Sequence, residues 1–376
     1  MKLGFYSTAT GLSWGGSEVL WGYAALLLQE KNYHLGVNYE WHPKCPEVLD
    51  KIQQKGGIIF WRRKKTHRGL KRSIRKRLDK LLKRYKRTWL DEFKPDFVLI
   101  TVAFHLDDLS IASECKKRDI PYAINLQAAS WNYWMPDRKL EHFRSAYTDA
   151  KKCFFLSEEN KEIVEANLAL QLGSTQIVDN PFNISIQEPL AWPDEDEIFK
   201  LACVGRLSFP SKGQDLIIRV MRENKWRQRP IHIAFWGAEE DCHRQLEELI
   251  QLYDLEHCMS IAGFSTNLVE LWSDHHALLL PSRHEGLPMV TVEAMLAGRP
   301  CIVTDCGRNG ELVDDNETGF LISAAVASCL DEALERAWSK RNKWEQMGKL
   351  ASERIRQRYS STPVEDFAVA LEELAI

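Results

Sequence analysis

No apolar run in this 376-residue chain approaches the ~20 residues that a membrane-spanning helix requires, which argues against an integral membrane protein. The opening stretch, MKLGFYSTATGLSW, has no long apolar core ahead of a small-residue cleavage site, so a secretory leader is not expected and a cytoplasmic location is. Nine cysteines include no C-x-x-C pair, and Cys153, Cys203 and Cys301 fall in apolar runs, which suits reduced thiols rather than a disulfide frame. His, Cys and Asp nowhere cluster at metal-ligand spacing, so no metal site is expected. A full G-x-G-x-x-G is missing, and so is any short-period repeat. A single D-x-D, Asp194–Asp196, lies in an acidic stretch where solvated side chains explain it.

What is present is a soluble globular composition, 44% hydrophobic and 27% charged, in a chain long enough for two domains. The net charge of −3 hides an uneven distribution: residues 62–87 hold 15 of the 50 Lys and Arg and one acidic residue, Asp79. Within 62–89, Leu70, Ile74, Leu78, Leu81, Leu82, Tyr85 and Trp89 recur at helical spacing, giving one apolar face on an otherwise basic helix. Such a segment suits a solvated helix docked on the protein, or peripheral contact with the anionic inner face of a membrane. Nucleic acid is not expected as a partner, since nothing else in the chain resembles a reader module.

Apolar runs alternate with helical patterns almost from end to end, predicting an α/β fold with parallel sheets. Strands are expected at Lys2–Tyr6, Leu35–Tyr39, Ile58–Trp61, Asp96–Val102, Tyr122–Leu126 and Cys153–Leu156. A Pro- and acid-rich stretch, QEPLAWPDEDEIFK, reads as a linker, and a second series follows at Lys200–Val204, Ile231–Trp236, Met259–Ala262, Ala277–Leu280 and Cys301–Thr304. The expectation is two Rossmann-like domains, 1–185 and 200–358, joined by 186–199 and facing a central cleft, with the carboxyl ends of both sets of strands at the cleft. A helix over 359–376 is expected to cross back to the first domain.

The densest signal is SRHEGLPMVTVEAMLAGRPCIV, residues 282–303. It reads as a loop carrying Glu285, a helix that opens near Pro288 and holds Glu293 in its second turn, and a stop at Gly298 and Pro300. Both carboxylates therefore lie near a helix start, where outward N–H groups favour an anion. In LACVGRLSFPSKGQD, Arg206 directly follows a strand and Lys212 precedes a helix, so two fixed cations flank a strand's carboxyl end. Gly15 and Gly16 let backbone approach a phosphate at another helix start, with Ser17 as the expected N-cap, though a tight strand-to-helix turn explains the pair equally well.

Taken together, G-R-L…K-G-Q-D at 205–215, the E-x7-E stretch at 285–293 and GGSE at 15–18 resemble glycosyltransferase family 4, as do FFLSEENKEIVEANL at 154–168 and NPFNI at 180–184. Members are retaining transferases of the two-Rossmann-domain GT-B type that use nucleotide sugars. The resemblance is strongest from about 200 to 325. It implies that the first domain takes the acceptor and the second the donor. Arg206 and Lys212 would grip the diphosphate, and Glu285 would contact the sugar's hydroxyls. Backbone from Gly286 through Leu287, Pro288 and Met289 to Val290 would meet sugar and phosphate, and Glu293 would accept from the ribose. Beyond that donor no cofactor is expected, and the acceptor is left open as a glycan, a lipid-linked sugar or a small molecule.

One departure from the family's pattern stands out. A first-domain histidine is common after the strand that corresponds to Ala123–Leu126, and here Gln127 takes that place. Glutamine donates and accepts hydrogen bonds but is no general base. His105, after the preceding strand, is the alternative, and Trp131 and Trp134 in SWNYWMP offer faces suited either to a sugar or to domain packing. A catalytically silent sugar-nucleotide-binding protein on the same fold is the second reading of the whole, and a two-domain epimerase or phosphorylase a third.

Overall fold

The computed structural model describes residues 1–10, 14–62, 88–182, 186–193, 198–238 and 242–376, so most of the basic segment and the Asp194–Asp196 triplet lie outside the described residues. Two parallel sheets organise the chain. The first, in the order β3-β2-β1-β4-β5-β6-β7, uses Lys2–Ser7 (β1), His34–Glu40 (β2), Ile58–Arg62 (β3), Phe97–Val102 (β4), Tyr122–Leu126 (β5), Cys153–Phe155 (β6) and Thr175–Ile177 (β7). The second runs β10-β9-β8-β11-β12-β13 from Phe199–Val204 (β8), Ile231–Trp236 (β9), Met259–Gly263 (β10), Ala277–Leu280 (β11), Cys301–Thr304 (β12) and Gly319–Ile322 (β13). Both orders reverse direction once, between β1 and β4 and between β8 and β11, and ligands of such sheets bind beyond the strand ends at that reversal. The central strands read as unbroken apolar runs because both faces are covered: every residue of β4, β5, β11 and β12 is buried.

Two sheet-edge strands are additions to the sequence reading. In β7 every residue is half-buried, so it carries little of the apolar signal that marks an interior strand. The four-residue β13 opens on Gly319, which sits beside Cys301 of β12.

The helix Gly16–Glu30 starts earlier than an N-cap at Ser17 allows, and its N-cap is Gly15. Glu18 replaces the expected serine: its carboxylate accepts the Gly15 N–H at 3.2 Å and the Ser7 hydroxyl at 3.1 Å. The stretch after Ile186 lies on the second domain, held by the almost fully buried Arg299. Arg299 donates to the carbonyls of Ala191 at 2.6 Å and Trp272 at 2.9 Å, and its guanidinium lies over the Trp192 ring. Burial brings the Arg299 pKa down to about 10, still cationic at neutral pH. The last helix, Pro363–Ala375, packs on the first domain, with Phe367 edge-on to Phe154 at 5.0 Å and Glu372 paired with Lys31. Among the described residues no helix is long and apolar enough to cross a membrane.

Candidate active site

The second domain supplies the charged part of the site from two stretches. Beyond β8, Gly205 and Arg206 lead into the single turn Phe209–Lys212, and beyond β11 the loop from Pro281 leads to the helix Met289–Leu296, with Pro288 as its N-cap. The two stretches meet at one carboxylate. Glu285 Oε1 accepts from Lys212 Nζ at 2.5 Å and from Ser282 Oγ at 2.6 Å. Side-chain exposure is 16% for Lys212 and 9% for Glu285, so this lysine is not the solvated surface base that its residue type alone suggests. Two residues expected to do separate jobs, one on phosphate and one on sugar, are thus partners.

Beside the pair, a cavity of about 410 Å³ opens at the carboxyl ends of β8, β9 and β10. Arg206, Trp236, Gly237, Phe264, Thr266 and Glu293 are among its walls. Glu293 is 5% exposed, a carboxylate taken out of water at the edge of an apolar slot, while Phe264 stands 71% exposed at the mouth. Gly237 permits the floor to close: a Cβ there would lie 1.9 Å from the Gly205 carbonyl oxygen. Such a slot, with aromatic walls, a buried carboxylate and flanking cations, has the chemistry to hold a nucleoside carrying phosphates.

The first domain meets this arrangement closely. A Cβ on Gly286 would fall 1.8 Å from the Gln127 carbonyl oxygen, so the residue after Glu285 lies against the end of β5 with no space for a side chain. Gln127 is 5% exposed; Asn180 Nδ2 donates to its Oε1 at 3.4 Å, and its Nε2 has no hydrogen-bond partner among the described residues. His105 is buried, with Nε2 3.1 Å from the Tyr133 carbonyl and Nδ1 without a partner among the described residues. Burial lowers its pKa, opposed by that carbonyl, and keeps the ring neutral at pH 7.

Sequence reasoning passed over several residues here. His284 faces Phe104 of the first domain, ring centroids 5.6 Å apart, and burial likewise lowers its pKa, with Lys212 and Arg206 adding to the effect and Glu285 opposing it. Its only signal was its position before Glu285. Glu159 accepts a hydrogen bond from the Gly307 N–H of the other domain, and Arg308 pairs with Asp179. Burial raises the Glu159 pKa, with the Gly307 N–H and the Trp131 side chain pulling it back. Both contacts join residues far apart in the chain, which no local pattern can announce. Trp131 and Trp134 are 40% and 58% exposed, so neither ring is enclosed. Gly15 and Gly16 lie at the start of the first domain's leading helix, where the Gly15 N–H is already taken by Glu18. Among the described residues no group of three or more His, Cys, Asp or Glu is arranged to hold a metal ion.

Two Rossmann-like domains facing a charged cleft define the GT-B architecture, and the whole chain superimposes on solved members of it. Anabaena HepE in complex with UDP matches with a TM-score of 0.72 at 17% identity, over 99% of this chain and 100% of that one. Residues 198–340 match the family model for glycosyl transferases group 1. The second domain is thus similar to the group 1 glycosyl transferase domain, and the curated relatives that the chain matches support a glycosyltransferase. Curated relatives include an uncharacterized glycosyltransferase of Methanocaldococcus jannaschii, 26% identical over 288 residues, which are 69% of this chain and 67% of that one. The lipopolysaccharide 1,6-galactosyltransferase of Salmonella typhimurium is 28% identical over 243 residues, 60% of this chain and 63% of its own. These alignments thus span about two thirds of the curated relatives they match.

Proposed function

We propose that the protein is a family 4 enzyme that transfers a hexose from a nucleoside diphosphate sugar, with UDP-sugars the first donors to test, and that the anomeric configuration is retained. The observation that carries this reading is the Lys212–Glu285–Ser282 cluster at the strand ends, beside a slot walled by Arg206 and Glu293. The nucleoside enters the slot with its ribose hydroxyls donating to Glu293. The diphosphate draws Lys212 off Glu285 and is shared among Lys212, Arg206 and the backbone from Gly286 to Val290 at the start of the helix Met289–Leu296. Glu285, released from the lysine, accepts from the sugar hydroxyls. The bond from the anomeric carbon to the phosphate oxygen breaks, its electron pair leaving with the diphosphate. The acceptor oxygen bonds to that carbon on the same face, and its proton passes to a departing phosphate oxygen. Positioning and fixed charge supply most of the rate, without a metal or further cofactor. Gln127, His105 and the helix start at Gly15–Gly16 line the first-domain side.

The reading also takes in a cytoplasmic location and peripheral contact of segment 62–89 with anionic membrane. Wild-type protein is expected to bind anionic vesicles at low salt, and glutamates at Arg72, Lys76, Lys80 and Lys83 to abolish it. For the reaction itself, the protein is incubated with UDP-, GDP- and ADP-sugars and release of free nucleoside diphosphate is followed, with NMR of the anomeric centre in the product. Release from at least one donor with retained configuration is expected. An inverted product, or no release from any donor, overturns the reading.

A further inference from the structure

The loop after β5 spends its backbone hydrogen bonds in a way that leaves its aromatic side chains outside. Ala129 N–H donates to Asn160 Oδ1 at 3.1 Å and Met135 N–H to Asn167 Oδ1 at 2.8 Å, both from the helix Glu158–Leu168. His105 N–H donates to the Ala128 carbonyl at 3.1 Å, and the His105 ring meets the Tyr133 carbonyl. A loop pinned at so many points is rigid, yet Trp131, Tyr133 and Trp134 remain 40%, 45% and 58% exposed. Three large rings held out of the core form an apolar patch that folding alone does not explain.

The patch adjoins the reacting centre. The Trp131 side chain lies beside the Glu159 carboxylate and helps to hold its pKa down, and that carboxylate takes the Gly307 N–H. Gly307 is packed so tightly that a Cβ would lie 2.6 Å from the carbonyl oxygens of both Glu285 and Gly286. Trp134 stands 6.3 Å from Trp131, centroid to centroid. From Tyr133 the aromatic path runs inward through Phe104, 5.6 Å away edge-on, to His284 beside Glu285. At its inner end lie two buried polar atoms without partners among the described residues, Gln127 Nε2 and His105 Nδ1. Flat apolar faces interleaved with neutral hydrogen-bonding groups match a pyranose, which has an apolar C–H face and a rim of hydroxyls. The Glu159 carboxylate beside Trp131 disfavours an anionic ligand.

We propose that this face is the acceptor platform and that the acceptor is a neutral oligosaccharide, its rings on Trp131 and Trp134 and its reacting end at Gln127 and His105. The inference rests on the donor reading above for the direction of transfer, not for the binding itself. The test applies the full chain, with and without UDP, to an array of immobilised neutral oligosaccharides of glucose, galactose, mannose and N-acetylglucosamine, and in parallel to polyprenyl phosphate vesicles. UDP affinity is measured separately, so failure of the donor reading shows there and leaves the array result standing. Retention on at least one oligosaccharide is expected. It should weaken about fivefold in Trp131→Ala or Trp134→Ala and about twentyfold in the pair, while Trp131→Phe and Trp134→Phe keep most of it with unchanged melting temperatures. The platform is overturned if no oligosaccharide is retained, if the paired alanine variant binds as well as wild type, or if retention is confined to the vesicles.

Discussion

The two domains share a strand order around the reversal, but they deliver their halves of the cleft differently. The second domain builds the charged part of its half from two short continuous stretches, Gly205–Lys212 and Ser282–Glu293, that meet in one ion pair. The first domain gathers Phe104, His105, Gln127, Trp131 and Glu159 from separate loops and a helix start. A nucleoside diphosphate presents the same phosphates and ribose whatever sugar it carries, so a fixed local motif serves it. Acceptors differ, and a surface composed from many loops can be changed one loop at a time.

The contrast breaks most decisively at Lys212. Lys212→Met should lower transfer about 100- to 1,000-fold, the usual scale for removing one charge-stabilising donor. It should also cost about 2 kcal/mol in urea unfolding, because Glu285 is left buried with the Ser282 hydroxyl as its side-chain donor among the described residues. Wild-type turnover in this variant would falsify the donor half of the site. Next in size is Gly286→Ala, whose methyl has no room against Gln127. Pushing the domains apart by an ångström should cut transfer by roughly 100-fold while titration calorimetry finds free UDP still bound by the second domain. Equal loss of both would mean that the two halves are not separable.

Glu293→Ala sharpens the nucleoside side, with free UDP binding weakened by ~1.5–3 kcal/mol, the value for hydrogen bonds to a charged group. Glu285→Gln should bind free UDP no more weakly, because Lys212 then has no ion pair to give up, and should weaken the intact nucleotide sugar; parallel losses for both ligands would undo that division. Acid should act through the second domain's interior. Buried His276 has its pKa brought down to about 4 by desolvation, with Arg299 next in effect, and its Nδ1 accepts the Lys200 N–H at 3.0 Å. The folded state holds this ring neutral while the unfolded chain takes a proton near pH 6.5. The contribution of His276 to stability is therefore constant above that pH, declines between about pH 6.5 and 4, and flattens below, a change on the order of 3 kcal/mol. His276→Asn should reduce the slope of melting temperature against pH across that window, and an unchanged slope would acquit His276. The smallest expected effect is none: transfer should survive excess chelator, whereas loss restored by Mg²⁺ or Mn²⁺ would put a cation among these carboxylates.

How legible each half was follows from the same contrast. The interior strands and the stretch from Ser282 to Val303 were readable because apolar runs, Pro288 and the Gly298–Pro300 stop are local signals. The edge strands β7 and β13 were not, being short and with one side of their hydrogen bonding unused. Ser17 looked like a cap because serine often is one, but Glu18 reaches back to do that work. The Lys212–Glu285 pair was hidden by 73 residues of separation, and the Gly286 contact with Gln127 by a domain boundary. Arg299, between Gly298 and Pro300, fastens the interdomain segment through carbonyls distant in the chain, a role that no local pattern carries.

The closing helix Pro363–Ala375 has a consequence for how the protein is made. It covers the helix Gly16–Glu30, and the Lys31–Glu372 pair that marks the contact spans 341 residues of chain. At ~5–20 residues per second a ribosome needs roughly 17–70 s to cover that distance. The strands of the first domain are therefore made well before its packing is complete: the helix Gly16–Glu30 keeps an apolar side uncovered until Pro363–Ala375 has been added.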